Sequence, residues 1–150
     1  MSELAVLVAQ VVASGMMCGL IWFVQIVHYP LFGAVPDDGF VAYAERHRVR
    51  TTAVVMPLMF TELGCAAWLA FTGGSALAWA GLGLVGAVWA VTFFVSVPLH
   101  VALDRGFEAR AHRLLVVTNW ARTALWSARL WVSIAMLVGF LRADGAEPVG

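Results

Sequence analysis

The chain contains no lysine, so all nine of its basic residues are arginine. Nine acidic residues balance them, and the formal net charge at neutral pH is zero. Nucleic acid is thereby excluded as a partner, because its binding needs a dense basic surface. Charge is scarce altogether: 12% of the 150 residues are charged, against about 25% in a soluble domain. Such a chain cannot cover a soluble surface, and a mean hydropathy of +0.88 marks it as a membrane protein. Cysteine is nearly absent. Cys18 and Cys65 lie inside apolar runs without CxxC spacing, and read as small apolar residues rather than as a disulfide or thiolate ligands. The start, Met-Ser-Glu-Leu, lacks the basic n-region of a signal peptide, so the first apolar run is expected to stay in the mature chain.

Long apolar runs are what the chain does have. A bilayer core of ~30 Å needs about 20 apolar residues in helix. Four runs qualify: Leu4 to Val27, Thr51 to Phe71, Ala76 to Leu99 and about Thr118 to Leu141. The second carries Glu62, and the fourth carries Arg122 and Arg129. The second and third are joined by Thr72-Gly73-Gly74-Ser75, without an arginine. The other two connections hold Arg46, Arg48 and Arg50, and Arg105, Arg110 and Arg113. The positive-inside rule then places both arginine-bearing connections in the cytoplasm and both termini outside the inner (cytoplasmic) membrane. Gly81-Leu82-Gly83-Leu84-Val85-Gly86 matches GxGxxG, but it lies inside an apolar run with no strand before it. Close helix packing through small residues is the better reading, as for Gly15 and Gly19.

A shift of 67 residues overlays the second half of the chain on the first. Asp37-Asp38-Gly39-Phe40 meets Asp104-Arg105-Gly106-Phe107, and ten of the 27 positions from Asp37 to Leu63 are identical. Pro30 and Pro98 correspond within one residue. The expected fold is all-α: an integral membrane antiparallel four-helix bundle built from two tandem helical hairpins, about residues 4–72 and 76–142, in one four-span domain over 1–150. The first and third helices would then lie on one diagonal.

Under this shift Glu62 meets Arg129. Each lies eleven residues past a threonine, Thr51 or Thr118, and so ~16 Å deep at ~1.5 Å per residue. A charge at that depth costs at least ~2.5–3.5 kcal/mol, so the two are expected to pair. The pair reads either as a structural register lock or as catalytic proton or substrate contacts. Asn119, Arg122, Trp126 and Arg129 step by three, four and three along one face. That face is too polar for lipid, and it suits a cofactor or substrate carrying an anionic group.

All four histidines fall in two short segments. His28 and His100 lie at the ends of the first and third spans, preceded by Gln25 and Ser96, which are placed to fix their tautomers. His47 and His112 precede the second and fourth spans. Imidazole suits haem iron, copper, zinc and non-haem iron. His28 and His100 are the leading candidate ligands for haem b or a transition metal, and His47 and His112 are further metal candidates. The alternative is that these interfacial histidines are hydrated amphipathic residues, above all His47 and His112.

The runs Gln25-Ile-Val-His-Tyr-Pro-Leu-Phe32, Tyr43-Ala-Glu-Arg-His47 and Asn119-Trp-Ala-Arg-Thr-Ala-Leu-Trp-Ser-Ala-Arg129 resemble those of small four-span bacterial membrane proteins of the anthrone-oxygenase-like type. The likeness extends over most of the chain through loose motifs. A weaker likeness is to the haem-binding membrane protoporphyrinogen oxidases, which would imply haem b, tetrapyrrole oxidation and His28 as the matching ligand. The leading expectation is a haem- or metal-binding redox protein, a possible oxidoreductase, with its site at the cytoplasmic end of the bundle. One alternative is a non-enzymatic membrane module, an accessory subunit or small transporter, with a structural Glu62–Arg129 pair. Another is a cofactor-free oxygenase or isomerase of a lipid-soluble phenolic. The bilayer is the expected partner, along with a homodimer or larger membrane complex.

Overall fold

Ser2 opens the first helix of the computed structural model, its hydroxyl accepting from the Ala5 amide. The structure describes residues 2–145, so Met1 and the last five residues of the expected 1–150 domain lie outside it. Its four helices are α1 (Glu3–Ala34), α2 (Asp37–Gly73), α3 (Ala76–Leu103) and α4 (Ala109–Asp144), each long and apolar enough to cross a membrane. Their outward faces are apolar too: Phe94, Phe71 and Trp131 are 81%, 74% and 71% exposed. Such a surface suits hydrocarbon rather than water.

Local sequence explains the helix ends. Gly74 closes α2 in the left-handed region at φ 64°, and the Ser75 hydroxyl accepts from the Ala78 amide to start α3. This gives the tight turn read from Gly73-Gly74-Ser75. The Glu108 carboxylate accepts from the amides of Arg110 and Ala111 and opens α4. Side-chain caps satisfy amide donors that the first helical turn leaves free.

Both α1 and α3 widen into a π-helical turn just before their prolines. Val24–His28 precedes Tyr29-Pro30, and Thr92–Ser96 precedes Val97-Pro98. Proline has no N–H to give the carbonyl four residues back. The chain accommodates this by sending the Tyr29 amide to Val24 O and the Val97 amide to Thr92 O, five residues back. The wider turn rotates the residues beyond it, and the Tyr29 ring ends up buried.

α1 and α3 each pack along their length against α2 and α4, as expected if they lie on one diagonal. Partners at opposite ends run antiparallel: Ser14 of α1 meets Glu62 while His28 meets His47. One apolar cluster (Val6, Leu7, Leu69, Ala70, Ala78) fills the end with the α2–α3 turn. A larger one, including Met17, Phe32, Phe40, Met59 and Trp126, fills the end with the α1–α2 and α3–α4 connections, the loop end. Polar side chains occupy the layer between them.

Candidate functional site

That middle layer holds Gln10, Ser14, Glu62, Arg129 and Ser133, all fully buried. Arg129 Nε donates to Glu62 Oε2 at 2.8 Å. The Ser14 hydroxyl donates to Glu62 Oε1 or to the Gln10 carbonyl, and lies 2.9 Å from Ser133 Oγ. The layer thus ties α1, α2 and α4 together. Gly81 of α3 completes it, since a methyl there would sit 2.9 Å from Arg129 Nη1. The small residue read from sequence as a helix contact makes room for a guanidinium. Nη1 and Nη2 of Arg129 have no partner, but the approach of Gly81 leaves no space for a ligand over Nη1.

At the loop end the four histidines gather around Tyr29 and Phe32. His28 Nε2 lies 2.6 Å from His47 Nδ1, and the His47 and His100 ring centres are 5.6 Å apart. Tyr29 Oη is 2.8 Å from His100 Nε2. His112 Nε2 lies 2.8 Å from the Tyr29 carbonyl oxygen, to which it can donate. Its ring stacks parallel to Phe32, next to Gly33, where an added methyl would come to 3.4 Å.

These positions correct several expectations. All four histidines are half-buried, so His47 and His112 are not freely hydrated. His112 Nε2 meets the Tyr29 carbonyl and so anchors the end of α1. Gln25 does not serve His28: its carbonyl accepts from Asn119 Nδ2 at 2.9 Å and its amide donates to Val116 O. Tyr29, not Ser96, meets His100 Nε2. The pair in direct contact is His28 with His47, because the π-turn carries the end of α1 toward α2.

Asn119, Arg122, Trp126 and Arg129 all face inward and are buried, as their spacing predicts. Asn119 Oδ1 accepts from Arg122 Nη1 at 3.2 Å, so Gln25 and Asn119 aim the guanidinium. Arg122 Nε is buried with no partner, although the residue is only 6% exposed. Arg122 lines a cavity of about 210 Å³ between α1, α2 and α3. The polar lining of that cavity includes Tyr29, His47, Arg48, Thr51, Ser96, His100 and Arg122, and its walls are apolar, with Ile21, Val24, Val55 and Met59. Thr52, Phe93 and Val97 line it while remaining exposed on the outer face. The cavity therefore opens sideways between α2 and α3. A second, open groove of about 550 Å³ lies outside, lined by His28, Gly39, Tyr43, Arg46, His47 and Arg50.

Sequence reasoning missed Tyr29 and Thr51 as site residues, and Gln10, Ser14 and Ser133 as members of the middle layer. Gln10 and Ser14, four apart in an otherwise apolar helix, do carry a signal in their spacing. Tyr29 carries none, because its inward turn depends on the π-turn.

The fit to a metal is poor as the side chains stand. Two imidazole nitrogens on one tetrahedral zinc at ~2.0–2.1 Å are ~3.3 Å apart, so His28 and His47 would have to separate. Among the described residues, no group of three or more His, Cys, Asp or Glu side chains is placed to hold a metal ion. Nor does a porphyrin fit the cavity, which is smaller than the ~300–1,000 Å³ of ordinary small-molecule sites. What the arrangement can do chemically is bind one oxygen-bearing group in an apolar pocket and move its proton. No protein-family model matches this chain, and no match to it was found among curated proteins or solved structures.

Proposed function

We propose that this is a multi-pass protein of the inner (cytoplasmic) membrane, an antiparallel bundle of two tandem hairpins with the loop end in the cytoplasm. Its cavity takes a small lipid-soluble molecule carrying one ionisable oxygen, of which a phenol is the simplest class. The observation that carries this reading is the buried Arg122 with its unpartnered Nε, on the rim of an apolar cavity beside Tyr29 and His100. An unpaired buried donor is costly, and the guanidinium that carries it lines the cavity, where an oxyanion would offset its charge. His100 and His47 are the proton acceptors, Arg122 holds the resulting phenolate, and Tyr29 fixes the His100 ring. The electron-rich phenolate is the form that reacts with dioxygen or isomerises without a cofactor. The likeness to anthrone-oxygenase-like proteins agrees with that class. Glu62 and Arg129 have a structural role here, locking helix register away from the cavity.

The test is binding of 2-naphthol to the full-length protein in lipid nanodiscs, monitored by its fluorescence. Saturable binding that weakens markedly in Arg122→Gln supports the reading. Failure of the wild-type protein to bind the probe overturns it.

The contiguity of the His28, His47 and His100 rings favours a second reading, in which they part to hold a transition metal or haem at the mouth of the bundle. Metal content and a visible spectrum of the purified protein distinguish the two. A stoichiometric metal, or a Soret band lost in His28→Ala or His100→Ala, selects the second.

A further inference from the structure

We propose that His28 and His47 form a two-imidazole proton path between the outer groove and the cavity that Arg122 lines. The inference rests on the reading of the cavity as a proton-transfer site, and adds where the proton goes. His47 is the histidine that lines both spaces, and His28 lines the groove alone. Their facing nitrogens, His28 Nε2 and His47 Nδ1, are 2.6 Å apart. At that distance one nitrogen must carry a proton and the other accept it. Thr51 Oγ1, on the turn after His47, lies 3.2 Å from the same Nδ1 and steadies the ring. Phe32 stands edge-on to both rings, with centres at 5.2 and 5.0 Å, and fixes their planes.

Imidazole suits a relay because it takes a proton on one nitrogen and releases one from the other. In the outward step the ligand O–H breaks and its proton bonds to His47 Nε2. The proton on His47 Nδ1 moves to His28 Nε2, and the proton on His28 Nδ1 leaves to water in the groove. The oxygen keeps the electron pair and stays in the cavity as an anion beside Arg122. Both rings finish in their other tautomer. Passage of a proton inward, to the anionic product, restores both. Other ionisable groups border the path: Tyr43, Arg46 and Arg50 on the groove, and Tyr29, Arg48 and His100 on the cavity. Arg48 is tied to Asp104 at 2.7 Å. Among them the His28–His47 pair connects the two spaces through a direct nitrogen–nitrogen contact.

The experiment uses 2-naphthol, which becomes a strong acid on excitation, bound to the full-length protein in nanodiscs. Naphtholate emission then reports proton departure, and a titration reports binding separately. In His28→Ala the affinity should stay near the wild-type value. Its naphtholate emission should fall at least about a hundredfold, the low side of what a positioned acid–base group contributes. Added imidazole should restore that emission. His28→Gln keeps a hydrogen-bonding group against His47 but cannot relay, so it should show the same loss without leaving a hole. Tight binding with undiminished emission in both variants overturns the path and leaves the cavity reading standing. Absence of binding by the wild-type protein overturns both.

Discussion

The middle layer and the loop-end cluster are both assemblies of buried polar side chains in an apolar bundle, but they differ in space and in charge balance. In the middle layer Glu62 and Arg129 face each other with no exposure, and Gly81 closes the side of Nη1, one of the two unpartnered guanidinium nitrogens. At the loop end, among the described residues, Arg122 forms no salt bridge; its guanidinium donates to the Asn119 amide oxygen and borders a cavity. In the function proposed above, one set holds helices together and the other receives a ligand. Lipid is as apolar as the bundle interior, so helix association depends on close packing and interhelical hydrogen bonds, which average ~0.6 kcal/mol and reach ~1.7 kcal/mol. A polar layer in such a chain is therefore not evidence of chemistry. An unmatched charge beside empty volume is a better indicator.

That contrast can be broken most directly at the ion pair. Removing one partner, as in Glu62→Gln or Arg129→Met, should destabilise the protein by about 3–5 kcal/mol, because a buried charge is left unpaired. The double replacement Glu62→Leu/Arg129→Met should recover most of that loss. Unfolding titrations in mixed detergent read both, and a double variant as weak as the singles would contradict a simple pair.

Arg122→Gln should act the other way. It should leave the unfolding midpoint near wild type and weaken 2-naphthol binding by roughly ten- to a hundredfold, the worth of about 1.5–3 kcal/mol for a hydrogen bond to a charged group. If stability falls while binding persists, Arg122 belongs with the structural layer. Gly81→Ala is next, with a loss of about 1–3 kcal/mol from overpacking against Arg129 and unchanged probe affinity. The smallest effect is expected from Tyr29→Phe. It keeps the ring and loses one hydrogen bond to His100, about 0.5–1.5 kcal/mol. Its distinctive readout is a less ordered His100 ring, monitored by the imidazole NMR signals.

Much of this was legible in the order of residues. The four apolar runs, the glycine turn and the inward face from Asn119 to Arg129 follow from hydropathy and the 3.6-residue period. The pairing of Glu62 with Arg129 was foreshadowed by their equal depth past Thr51 and Thr118. The histidine partners were not legible. Gln25 and Ser96 stand one turn before His28 and His100, and a regular helix would put each next to its histidine. Gln25 and His28 both lie within the π-turn Val24–His28, which shifts their relative direction, whereas the helix from Ser96 to His100 is regular and His100 Nε2 is taken by Tyr29 of α1.

Residue order alone makes this chain helical, apolar along four lengths, and charged mainly at the connections, because those properties depend on composition and short-range spacing. It also dictates which few polar groups must find partners inside. Which partners they find is a matter of tertiary packing. His28 meets His47, Gln25 meets Asn119 and Arg122 is left facing a cavity because helices distant in sequence approach at particular heights and rotations. In α1 and α3 the widened turns ahead of Pro30 and Pro98 contribute to those rotations. A proline in a sequence announces a missing hydrogen bond, but the direction in which the chain relieves it is settled only by the helices it packs against.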